Sequence, residues 1–109
     1  MPSNSPLYTA YGSLRLGRRS LWAVGGILEI YDDSLVVTRE GIRQRVYVLP
    51  RASITRLSVE QFFWFLFSGG LHIEHTIASY PPLFLYSRDI DVLTEQLRRH
   101  RFPVSTSDA

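Results

Sequence analysis

From Trp22 to Tyr86 the chain reads as short strands with alternating apolar residues, and at Ser87 the apolar spacing changes to that of a helix. Side chains alternate between faces along a strand but recur every three or four positions along a helix. A single switch of this kind confines the chain to an antiparallel β-structure followed by one helix. With 109 residues there is material for one core. No repeat and no interior linker divides it. The Ser/Pro-rich stretch 1–6 and the small polar stretch 104–109 read as loose tails, leaving 7–103 as a single domain.

Gly26–Tyr31 and Leu35–Arg39 are rich in β-branched and aromatic residues, and Asp32-Asp33-Ser34 between them reads as a short hairpin connection. Glu40-Gly41 supplies the next turn. Alternation over Ile42–Leu49 then assigns Val46 and Val48 to a dry face and Arg43, Arg45 and Tyr47 to a wet, basic one. Pro50–Ser53 breaks the pattern before a strand over Ile54–Glu60. Leu71–Ile77 alternates again, and Pro81-Pro82 precedes a strand over Leu83–Tyr86. Ile90, Leu93 and Leu97 mark the inner face of the helix. Ser87 is its expected N-cap, Asp89 and Asp91 lie in the first turn, and Arg98, Arg99 and Arg101 in the last, a charge order that suits the helix dipole.

Phe62-Phe63-Trp64-Phe65-Leu66-Phe67 interrupts this order with six consecutive large apolar residues, ending in Ser68-Gly69-Gly70, which reads as a turn. The run is far short of the roughly 20 residues a membrane-spanning helix requires. Strict alternation would place Phe63, Phe65 and Phe67 on one side and Phe62, Trp64 and Leu66 on the other, so a regular strand could bury only half of it. The other half calls for cover, since each such side chain is worth roughly 1.5–3 kcal/mol when fully buried. That cover is the N-terminal segment, with Trp22 and Tyr11 as packing partners of a one-turn helix or looped segment, or a second copy or protein partner, or a lipid surface.

All 12 basic residues are arginine, against 10 acidic ones. Arginine suits planar recognition of phosphate or carboxylate, but so small an excess of charge makes no strong electrostatic footprint and argues against nucleic acid as partner. The chain has no cysteine, which excludes disulfides and thiolate metal sites and fits a reducing compartment. Met1–Pro6 has no basic residue followed by an apolar stretch, as a secretory signal would, so the expected location is cytoplasmic.

Leu35-Val36-Val37-Thr38-Arg39-Glu40-Gly41, an Arg-bearing strand ending in Leu49-Pro50, and then Ile54-Thr55-Arg56-Leu57-Ser58-Val59 resemble the bacterial pleckstrin-homology-like (PH-like) domains. In that family a similar strand leads to an apolar stretch, here Phe62–Phe67, and to a Gly-containing strand start, here Ser68–Ile73. The resemblance spans about Gly26–Phe102. It implies a PH-like antiparallel β-sandwich or barrel, mainly β, capped by one C-terminal α-helix, and a role in interaction. Many such domains adjoin transmembrane helices, which this chain lacks. Eukaryotic members that bind phosphoinositides carry basic residues around the first hairpin. Taken as the first hairpin here, Asp32-Asp33-Ser34 would repel a phosphorylated headgroup.

The most enzyme-like group is His72, Glu74 and His75, yet alternation separates His75 from the other two, and a catalytic metal needs three convergent ligands. No serine sits in a Gly-x-Ser-x-Gly setting, and no phosphate-cradling glycine motif occurs. The residues therefore point to no enzyme, no cofactor and no metal. The densest basic region is Arg39, Arg43, Arg45 and Arg51 around the second hairpin, with Tyr47 among them. The expected function is a protein-binding or self-associating module using Phe62, Phe63, Trp64, Phe65 and Phe67, rimmed by Arg43, Arg45, Tyr47 and Arg51. The competing readings are a peripheral adaptor on anionic membrane, and a small-molecule sensor or enzyme with a pocket under the helix.

Overall fold

The computed structural model describes residues 5–16, 24–41, 44–64 and 67–106, with 16, 24, 62–64 and 106 described by backbone alone. Its strands are β1 (Tyr8–Leu16), β2 (Val24–Ile30), β3 (Ser34–Arg39), β4 (Arg45–Pro50), β5 (Ile54–Trp64), β6 (Phe67–His75), β7 (Leu83–Ser87) and β8 (Val104–Thr106), with helix α1 (Ile90–Arg99) between β7 and β8. They form one sheet in the order β4-β3-β2-β1-β7-β6-β5-β8, antiparallel throughout except for the β5–β8 pair. The sheet curls into a half-barrel, and α1 packs against β5, β6 and β8. The fold is thus mainly β with a C-terminal helix, as the change of period required.

Inward positions carry the core: Ala10 and Leu14 of β1, Leu28 and Ile30 of β2, Leu35 and Val37 of β3, Leu71 and Ile73 of β6, Leu83 and Leu85 of β7, and Ile90, Leu93 and Leu97 of α1. On β4 the faces are the reverse of the expected ones. Tyr47, 3% exposed, and Leu49 point inward, while Val46 and Val48 are 52% and 46% exposed. The register decides this: Tyr47 pairs with Val37 and Leu49 with Leu35, both core residues, so the valines must take the outer face.

β1, which the sequence pattern missed, pairs with β2 along Tyr8–Leu14 and with β7 along Gly12–Leu16. It bridges the two halves of the sheet. The inward row Gly26, Gly12, Ser87, Gly69 crosses β2, β1, β7 and β6 at the bend. A Cβ on Gly12 would collide with the Tyr86 carbonyl oxygen, so only glycine permits this approach. Ser68-Gly69-Gly70 is not a turn but part of β6. A Cβ at Gly69 would meet Ile90 Cγ2 at 2.9 Å, and its absence lets α1 sit on the sheet.

Three further corrections concern segment ends. β5 runs on through Trp64, which pairs with Phe67, and between the Gln61–Gly69 and Trp64–Phe67 pairs two residues of β5 oppose one of β6. This bulge breaks the strict alternation assumed for the aromatic run. Val104–Thr106 is no loose tail but the strand β8, parallel to Leu57–Val59. Ser87 ends β7, and α1 begins at Ile90 with Asp89 at the N-cap position and no side-chain cap bond there. Instead the Ser87 hydroxyl accepts the Asp89 N–H (3.2 Å), and Ser68 Oγ, from β6, accepts the Ile90 N–H (3.0 Å) and donates to the Arg88 carbonyl (2.6 Å). Among the described residues no helix is long and apolar enough to cross a membrane.

Candidate interaction site

Hydrogen-bond parity exposes an open backbone edge on β1. The Glu40 N–H donates to Gly25 O and the Tyr31 N–H to Ser34 O, so odd-numbered residues of β2 bond β3 and even-numbered ones face β1. Ala10, Gly12 and Leu14 are therefore the β1 residues that bond β2. Thr9, Tyr11, Ser13 and Arg15 direct their N–H and C=O groups to the other side. There Ser13 and Arg15 meet Tyr86 and Phe84 of β7, whereas Thr9 and Tyr11 have no strand partner among the described residues. β7 ends at Ser87 and the chain turns away into α1, while β1 continues past it toward Tyr8.

A cleft of about 620 Å³ opens at this divergence, floored by Tyr8–Ser13 and walled by Phe67, Ser87, Arg88 and Asp89. Its size is that of ordinary ligand-binding clefts. Phe67, the last residue of the aromatic run, leans on Tyr86 with ring centroids 6.1 Å apart. Tyr11 is 68% exposed and lines the cleft together with Phe67; the side chains of 62–66 and Trp22, the other expected packing partner, lie outside what is described. Burial raises the pKa of the Tyr8 phenol above its ordinary value, and the nearby Asp89 carboxylate adds to the rise. Arg88 is exposed and forms no ion pair among the described residues.

Of the residues expected at a binding surface, only some are available to it. Tyr47 is buried edge-on against Tyr80, with centroids 5.0 Å apart. Arg51 is committed to the fold. Its Nε and Nη2 donate to Asp32 O (3.0 and 2.6 Å), Nη1 to Arg101 O (3.0 Å) and Nη2 also to His100 O (2.9 Å), and its guanidinium lies 3.9 Å from the Phe102 ring centroid. It clamps the β2–β3 turn to the C-terminal end of α1. Arg45 is exposed and stands directly across from Arg39, and neither forms an ion pair among the described residues. Arg43 and Phe65 lie outside the described residues, and Phe62, Phe63 and Trp64 are placed on β5 by their backbone.

The three residues of the enzyme-like group are separately engaged. His72 stacks on Phe84 at 4.1 Å with an interplanar angle of 8°. Glu74 lies 3.9 Å from Arg56. His75 Nδ1 accepts the Ile77 N–H (3.2 Å), which puts the ring proton on Nε2 to donate to Pro81 O (2.9 Å). His75 thus fastens the β6–β7 connection.

The first hairpin is β1–β2, joined by residues 17–23 with Arg18 and Arg19 in their sequence; Asp32 and Asp33 belong to the second, β2–β3. The inference drawn from an acidic first hairpin therefore loses its premise. Thr9, Tyr11 and Arg88, absent from the expected site, are the residues that the geometry adds. Their signal in the sequence was faint: Thr9, Tyr11, Ser13 and Arg15 alternate with Ala10, Gly12 and Leu14, but small inward residues dilute the contrast. No protein-family model matches the chain, and no curated protein matches it.

Proposed function

We propose that the chain is a non-catalytic, PH-like interaction module that takes up an extended segment of a protein partner along the open edge of β1. The observation that carries this reading is the backbone of Thr9 and Tyr11 facing the cleft, which has no partner there among the described residues. A strand laid there would gain main-chain hydrogen bonds, the mode of recognition in which an exposed edge supplies affinity and neighbouring pockets supply selectivity. Phe67, continuous with the aromatic segment 62–67, is the apolar anchor. Arg88 offers a charge for an acidic residue on the incoming segment. The family reading rests on the motif residues from Leu35 to Ile73 and is supported by the curled sheet with its C-terminal helix.

The test is selection from a random peptide library followed by amide exchange on the complexes. Enriched peptides are expected to protect the Thr9 and Tyr11 amides. Tyr11→Pro, which removes an outward N–H and leaves the β2 ladder intact, is expected to weaken binding at least tenfold, about 1.4 kcal/mol. Peptides that bind Tyr11→Pro as well as wild type would overturn the reading.

A second reading, attachment to anionic membrane, is favoured by Arg39 and Arg45, which have no ion-pair partner among the described residues, at the end of the sheet where Glu40 meets Gly25. Co-sedimentation with phosphatidylserine vesicles that is lost in Arg39→Glu/Arg45→Glu would support it. Equal sedimentation of the variant would dismiss it.

A further inference from the structure

We infer that the outer edge of β4 is a self-association surface on which two copies of this chain pair their β4 strands antiparallel about a two-fold axis. The inference is independent of the cleft on β1, which lies on a different strand.

β4 is a terminal strand of the sheet. The Arg51 N–H donates to Asp33 O, and the β3–β4 register places Leu49, Tyr47 and Arg45 in step with that pair. Odd-numbered residues therefore bond β3, and the N–H and C=O groups of Val46 and Val48 point away from the sheet. The same two residues expose their side chains on the outer face, 52% and 46%. Soluble proteins guard an open edge with charge, proline or a bulge. Here the open edge carries the exposed Val46 and Val48 on either side of the inward Tyr47, and among the described residues its guards are Arg45 and Pro50 at the ends.

A second copy fits this edge by register and by charge. Centred on Tyr47, antiparallel pairing sets Val46 of one copy against Val48 of the other, and the reverse, so that the four outward N–H and C=O pairs of the two strands satisfy each other. Pro50, having no N–H, ends the ladder. The charges of the edge are polar along its length. Arg45 and Arg39 face each other at one end, while Asp32 and Asp33 lie at the other, beside Arg51 and Pro50. Like charges directly across a ladder are unfavourable. Antiparallel pairing carries the acidic end of each copy toward the Arg39–Arg45 pair of the other and relieves that repulsion. The contact is isologous and closes at two copies.

The experiment is sedimentation velocity of the full chain from about 1 μM to about 1 mM, with amide exchange at both extremes. A dimer is expected that strengthens at low salt, with the Val46 and Val48 amides protected only at high concentration. Val46→Lys/Val48→Lys changes exposed side chains alone and is expected to weaken dimerisation at least tenfold with an unchanged circular dichroism spectrum. Arg45→Glu is expected to weaken it as well, and Arg45→Glu/Asp33→Arg to restore it. A chain that stays monomeric across the range overturns the inference. So does a dimer that the lysine pair leaves intact, or one in which the Val46 and Val48 amides exchange freely.

Discussion

Arg51 shows how much one side chain can be asked to hold. Its guanidinium uses four hydrogen bonds to three backbone carbonyls, two of them at the end of α1, where carbonyls lack partners within the helix. Arg51→Ala is expected to cost about 2 kcal/mol in urea denaturation, with Arg51→Lys recovering less than half, because an ammonium cannot span the same fork. Gly12 is constrained in the opposite way, by what it lacks. Gly12→Ala forces a methyl group into the Tyr86 carbonyl and is expected to cost about 3 kcal/mol, read from the shift in the denaturation midpoint. Neither role was legible beforehand. Arg51 is one of twelve arginines, and its acceptors are main-chain atoms of residues 19, 49 and 50 positions away. Tyr47 was assigned to the wrong face for a related reason. Alternation states that Tyr47 and Val48 point to opposite sides, and only pairing with Val37 states which side is inside.

At the scale of elements, the helix was read correctly from Ile90, Leu93 and Leu97, but its N-terminus is completed from another strand. Ser68 Oγ receives the Ile90 N–H and returns its own proton to the Arg88 carbonyl. Ser68→Ala is expected to destabilise the fold by about 1 kcal/mol and to speed exchange of the Ile90 amide, whereas Ser68→Thr retains the acceptor. The capping residue sits 22 positions before the N–H it serves, so no local motif announces it. The aromatic run was likewise read as an element of its own. In the structure its first half extends β5 with a bulge and its last residue opens β6 and walls the cleft. Of the site, then, Phe67 was legible as a large apolar residue in need of a partner. Thr9 and Tyr11 were not, because what qualifies them is the strand that stops short beside them.

For the whole molecule, the cleft couples to stability through Tyr8. Its pKa is raised above the ordinary 10.0, first by burial and then by Asp89, so the folded chain holds the phenolic proton more tightly than the unfolded one. Below about pH 10 both states are protonated and the contribution is complete; above it the unfolded state ionises first, and stability falls as pH rises through the folded pKa. In tyrosinate absorbance titrations Tyr8→Phe is expected to lose amplitude above the ordinary tyrosine value and to keep the amplitude near it. In Asp89→Asn Tyr8 moves back toward 10.0 without reaching it, since burial remains the larger cause.

By itself the sequence determined the composition of the two layers, a set of strands followed by a helix, because the spacing of apolar residues is a property of neighbours along the chain. It also determined which residues are large and apolar, and which are charged. Tertiary structure alone decided which face of β4 is the core, that β1 serves both halves of the sheet, that Val104–Thr106 joins β5, and where backbone groups are left open. Those outcomes depend on register, and register is settled by contacts between segments far apart in the chain.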